Sequence, residues 1–197
     1  MNFLAHFLLS HQTPELVVGS FLGDFVRGKR YQTYDPAIAR GILLHREIDR
    51  FTDVHPVFRQ SKRRLVPQQG HYAGVVVDVL YDHLLARHWT DYSKERLPDF
   101  AERIYATLRE HHDQLPPLAQ RVFGYMESHN WLANYVHPEA IARTLSGMQR
   151  RARFPNQMGQ AAESWPETAT LYAQEFHNFF PQVQAHVVRY LANPARA

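Results

Sequence analysis

Residues 72–89 read YAGVVVDVLYDHLLARHW, and this stretch decides the fold. Val75, Val76 and Val77 alone would suit a buried strand. The apolar pattern continues through Val79, Leu80, Leu84 and Leu85, well past the roughly 4–8 residues of such a strand. The spacing therefore predicts a helix, apolar around most of its circumference and hence central.

Working outward, Asp35-Pro36 supplies an N-cap and a first-turn proline for a helix that runs to about Thr52, with Ile38, Ile42, Leu44, Ile48 and Phe51 facing inward. His55-Pro56 starts another that ends near Pro67. Residues 3–11 and 14–27 read as two short amphipathic helices, the second ending at Gly28. Further helices are predicted over 97–114, 117–135 and 138–152, and one or two over 165–191, interrupted at Pro181. No Gly/Ser/Pro linker divides the 197 residues. The expectation is one all-α, single-domain helical fold over 1–197.

Composition narrows the chemistry. There are no cysteines, which removes disulfides, thiolate metal sites and Cys nucleophiles. The opening MNFLAHFLLSHQ lacks a basic segment and is interrupted by His6 and His11, a poor signal peptide. No stretch approaches the roughly 20 apolar residues that span a bilayer. A cytoplasmic protein with no membrane partner is expected. Lys and Arg number 22 against 19 Asp and Glu, and three basic patches stand out. They are Arg27, Lys29 and Arg30; Arg59, Lys62, Arg63 and Arg64; and Arg150, Arg151 and Arg153. Such patches are either solvated helix faces or the approach surface for an acidic or phosphorylated partner.

The chemistry concentrates in GILLHREIDRFTDVHP at 41–56 and in the central helix. His45 and Asp49 are one helical turn apart, as are Asp78 and Asp82, with His83 rotated away by about 100°. Two carboxylates one turn apart on a greasy helix repel each other and need compensation. A divalent metal held between the two helices by His45, Asp49, Asp78 and Asp82 would provide it, and imidazole with carboxylate admits Mn, Fe, Zn or Mg. Asp24, in GSFLGDFVRG, is a further carboxylate in an apolar stretch. Other readings stand beside this one. Asp24 can bond nearby amides or pair with Arg27, Asp53 can cap the next helix, and Arg46 or Arg87 can neutralise one of the central aspartates. His6, alone on an apolar face, reads first as a hydrogen-bonded core histidine.

MNFLAH at 1–6, GDFVRG at 23–28, GILLHREIDRFTDVHPVFR at 41–59, DVLYDHLLARHW at 78–89, WLANY at 131–135 and LSGMQRR at 145–151 resemble the acyl carrier protein phosphodiesterases. That family is regarded as a divergent relative of the HD-type metal phosphohydrolases, so the resemblance implies an HD-phosphohydrolase-like fold. The doublet here is Asp82-His83, the reverse of the usual His-Asp order. The implied activity is hydrolysis of the phosphodiester that links 4′-phosphopantetheine to a serine of holo acyl carrier protein. Mn²⁺ is the ion the resemblance implies, with Mg²⁺ or Fe²⁺ as the alternatives for this chain. Carried onto this chain, the motifs point to Asp24, His45, Asp49, Asp78, Asp82 and His83; Asp24, His45, Asp49, Asp78 and Asp82 are the expected ligands, and Asp24, His83 and Arg46 are expected to act in catalysis. They also cover His6 and Asp53. The expected mechanism is metal-assisted attack of water on phosphorus, with His83 or a carboxylate carrying the proton. Arg27, Arg46 and Arg50 are expected to bind phosphate, and Arg59, Lys62, Arg63 and Arg64 to steer the acidic carrier protein. Nucleic acid is not the expected partner. The competing readings are a phosphohydrolase of nucleotides or small phosphoesters, and a non-catalytic basic helical binding module.

Overall fold

Residues 1–162 and 165–193 are described by the computed structural model, and among them the chain forms α-helices and short 3-10 turns with no strand. The helices are α1 (Phe3–Ser10), α2 (Pro14–Leu22), α3 (Pro36–Val54), α4 (Pro56–Gln69), α5 (Ala73–Arg87), α6 (Leu97–Glu110), α7 (Pro117–Ser128), α8 (Trp131–Asn134), α9 (Pro138–Arg151) and α10 (Trp165–Leu191). Their starts follow local chemistry. The Asp35 carboxylate accepts from the Ala37 amide at 2.8 Å, and Thr13 caps α2. The cap of α4 is the His55 ring, which accepts from the Val57 amide, so Asp53 is not the cap.

Several boundaries differ from the sequence expectation, among them a shorter α6 that ends at Glu110. Helix α2 stops at Leu22, and residues 23–27 form a loop leading into a 3-10 turn at Gly28–Thr33. The expected helix over 117–135 is broken at Asn130, whose φ of 45° is left-handed, so α8 is a separate turn. The last helix instead continues through Pro181, which lies on its exposed side.

Helix α5 is central as expected. Val76, Val77, Val79, Tyr81 and Leu85 are wholly buried, against α1, α4, α9 and α10. From α10, Phe176, Phe179, Phe180 and Val183 fill the same core. Helices α2 and α3 cross with Gly19 against Gly41, and a methyl group at either position would overlap the other helix's backbone. That close crossing carries the end of α2 up to the middle of α3, where His45 lies.

A candidate metal centre

Three elements bring their side chains together beside the middle of α3. His45 and Asp49 share a face of α3, and His6 comes from α1. His6 Nε2 donates to Asp49 Oδ1 at 3.1 Å, and His45 Nε2 donates to Asp49 Oδ2 at 3.1 Å. Asp24, just past the end of α2, places Oδ1 3.7 Å from His45 Nε2. The loop reaches this position because position 23 is glycine: any Cβ there would run into the His45 ring. Both imidazoles are buried, whereas the Asp49 and Asp24 side chains are 43% and 48% exposed, so the cluster opens to solvent on its carboxylate side.

Electrostatics make the group lopsided. Burial, reinforced by the neighbouring His45, lowers the His6 pKa to about 3, leaving a neutral imidazole. Burial also opposes charge on His45, but its hydrogen bond to Asp49 and the charge of Asp24 outweigh that and raise its pKa. Asp49 is held well below the usual carboxylate range, because the two imidazole hydrogen bonds overcome the cost of burying it.

The remaining expected residues have the following partners. Asp82 is fully buried, and its two oxygens accept from the Leu4 and Ala5 amides at 2.7 and 3.3 Å, capping α1. Asp78 lies 2.9 Å from the Met1 ammonium, which is also 3.5 Å from Asp49. Compensation for this carboxylate pair therefore comes from the start of α1, and neither Arg46 nor Arg87 supplies it. His83 is buried and its Nδ1 pairs with the Tyr135 carbonyl at 2.7 Å, so the reversed doublet sends its two side chains to unrelated partners. Arg46 donates to the carbonyls of Val26 at 2.7 Å and Gly28 at 2.8 Å and lies over the Tyr31 ring. It fastens the loop that carries Asp24. Arg50 is bidentate with Glu47, Arg59 donates to the Asp53 carbonyl, and Arg64 grips Glu175. Asp53, Arg27 and Arg63 are exposed, Lys62 half-buried.

His6 is the residue that spacing undervalued. A lone histidine on an apolar helix carries no partner in its own sequence, and only the MNFLAH motif pointed to it.

The donor set fits a divalent transition ion. Two neutral-capable imidazoles and an ionised carboxylate converge, with a second carboxylate beside them, and nitrogen with oxygen ligation suits Mn, Fe or Zn. Nδ1 of His6 and of His45 are both buried without a hydrogen-bond partner, so Nε2 is the nitrogen each ring directs at the centre. A second His/Asp group, His88, Asp91 and His177, lies at the far end of α5.

Comparison with known proteins agrees with the motifs. The family model described as acyl carrier protein phosphodiesterase matches residues 1–183. The chain is 34% identical to the acyl carrier protein phosphodiesterase of Enterobacter sp. (strain 638) over 188 residues, covering 93% of this chain and 95% of that one. Identity to the protein of the same name from Serratia proteamaculans (strain 568) is 34% over 185 residues, with the same coverage. For the Salmonella agona (strain SL483) protein it is 32% over 194 residues, covering 96% of this chain and 98% of that one. No solved structure matches.

Proposed function

Because this chain belongs to the acyl carrier protein phosphodiesterase family, we propose that the His6–His45–Asp49 centre, with Asp24, hydrolyses the phosphodiester between 4′-phosphopantetheine and the carrier-protein serine, in the cytoplasm. The observation that carries this reading is the convergence of both Nε2 atoms on one carboxylate beside a second, solvent-facing carboxylate. His6, His45 and Asp49, joined by Asp24, would hold a divalent ion, for which Mn²⁺ is our choice; such an ion supplies Lewis-acid polarisation of a phosphoryl oxygen and acidifies water.

The chain's own groups do the rest. Asp49 accepts from each Nε2 at one oxygen, which aims the two nitrogens that would take the ion once they give up those protons. Burial keeps His6 neutral and able to ligate. Both carboxylates reach solvent, but Asp49 is engaged by the two imidazoles, so Asp24 takes a proton from the attacking water at Oδ1. The P–O bond to serine breaks, and that proton returns to the serine oxygen. Arg46 keeps Asp24 in reach through its two loop carbonyls.

The test is incubation with holo acyl carrier protein, with mass spectrometry following loss of the arm. Hydrolysis should stop with chelator and return with Mn²⁺. Asp24→Asn should lower kcat by about 10²–10⁴-fold. Turnover that persists in excess chelator with no metal by elemental analysis would remove the metal from the mechanism. Turnover of nucleotides in place of holo carrier protein would change the substrate.

A further inference from the structure

A cavity of about 330 Å³ opens between α7, α8 and α9, with Tyr125, Trp131 and Tyr135 on one side and Arg143, Arg150 and Arg151 on the other. It adjoins the metal centre through α1. The Tyr135 hydroxyl accepts from Asn2 Nδ2 at 2.9 Å, and Trp131 packs on Phe3 with ring centroids 6.4 Å apart. Asn2 and Phe3 open the helix that carries His6.

The arginines are unusual in what they lack. Among the described residues none of the three is in an ion pair, whereas Arg50, Arg64, Arg103 and Arg109 each hold a carboxylate. The guanidiniums of Arg150 and Arg151 also converge. A Cβ at Gly147 would lie 3.6 Å from Arg151 Nη1 and 3.8 Å from Arg150 Nη2, so both heads turn back over the missing side chain. Interaction with the C-terminal dipole of α9 explains cations in that last turn. It does not explain two like charges drawn to one point beside an open cavity, where they repel unless an anion joins them.

We propose that this cavity is an anion-binding docking site next to the hydrolytic centre, and that an acidic patch on the surface of the carrier-protein substrate occupies it. This rests on the function proposed above. Charge complementarity selects the occupant. A guanidinium pair binds carboxylates through parallel hydrogen bonds, the aromatic wall suits the apolar flank of a protein segment, and the phosphate of the substrate is engaged at the metal centre and not here. The sequence pointed to the Arg59–Arg64 patch for this task, but there Arg64 is held by Glu175 and Arg59 by the Asp53 carbonyl. The docking face is α9.

The experiment is binding of apo acyl carrier protein, which has no arm to be cleaved, to the full chain by calorimetry over a salt series. Arg150→Glu/Arg151→Glu should weaken binding about tenfold or more and flatten its salt dependence, with Arg150→Gln/Arg151→Gln intermediate and both variants melting as the parent does. Equal affinity in parent and variant overturns the site. So does an equal loss from Lys62→Glu/Arg63→Glu, which would put the partner on α4. Displacement of apo carrier protein by free 4′-phosphopantetheine would make the cavity an arm pocket and overturn the choice of occupant. Carrier protein that binds through α9 but is not hydrolysed would leave this site standing and remove the proposed reaction.

Discussion

The rings of His6 and His45 lie one on the other, centroids 3.9 Å apart and 12° from parallel, each giving Nε2 to a different oxygen of Asp49. Stacked imidazoles at this distance cannot both carry charge cheaply, and the depressed pKa of His6 answers that conflict. The pair is thus built as one neutral and one chargeable ring sharing a carboxylate.

Removing either ring should disable the centre. His6→Ala and His45→Ala are each expected to weaken Mn²⁺ binding by about 100-fold or more and to lower turnover in proportion. Calorimetry with Mn²⁺ alone reads the first quantity without substrate. Full Mn²⁺ affinity in His6→Ala would separate His6 from the ion.

Gly23 is where backbone and imidazole touch. Gly23→Ala places a methyl group in the His45 ring and should cost about 1–3 kcal/mol, because the ring or the loop must move. Activity should fall with it. Gly124→Ala, where a Cβ meets nothing within 4 Å, is the control and should leave the melting temperature unchanged or slightly raised. An undisturbed Gly23→Ala enzyme would contradict the packing described.

Asp82 gives a pH signature. Burial pushes its pKa up to about 7 despite two amide hydrogen bonds, from an ordinary value of 3.8. The folded state therefore holds a proton that the unfolded state has lost between about pH 4 and pH 7. Unfolding free energy should fall as pH rises through that window. Asp82→Asn, which resembles the protonated acid, should flatten this decline in chemical denaturation at pH 5 and pH 8. Asp82→Ala should cost about 0.5–2 kcal/mol at pH 5 as the cap is lost. Identical slopes in parent and Asp82→Asn would show that Asp82 stays ionised.

Arg46 acts through the loop. Arg46→Ala releases the Val26 and Gly28 carbonyls and should lower kcat more than it weakens Mn²⁺ binding, since Asp24 is displaced while His6, His45 and Asp49 stay in place. Limited proteolysis should speed up within residues 24–33. Arg46→Lys should recover part of kcat by reaching one carbonyl. A pure rise in KM would return Arg46 to a phosphate-binding role.

The helices were legible because their signals are local: the valine run with its long flanks, Asp35-Pro36, and the periodic aromatics of α10. The aspartates of α5 were legible as carboxylates in need of compensation, and that much stands. What compensates them was not legible, since helical spacing tells which residues share a face and nothing about what lies opposite. Here the opposite partners are the first amides of α1 and the Met1 ammonium. His6 had no local signal, and Asp24 depended on a helix end at Leu22 that no proline marks and on the contact of Gly23 with the His45 ring.

Helix α1 is tied down by residues made long after it. Asp82 is 78 positions beyond Leu4, and Tyr135 is 133 beyond Asn2. At about 5–20 residues per second of synthesis, this apolar segment waits on the order of ten seconds for its partners. During that interval His6 cannot meet Asp49 in its final setting, so the His6–His45–Asp49 cluster is completed late. A ribosome-stalled fragment ending before α8 should expose a sticky N-terminus for chaperones to hold.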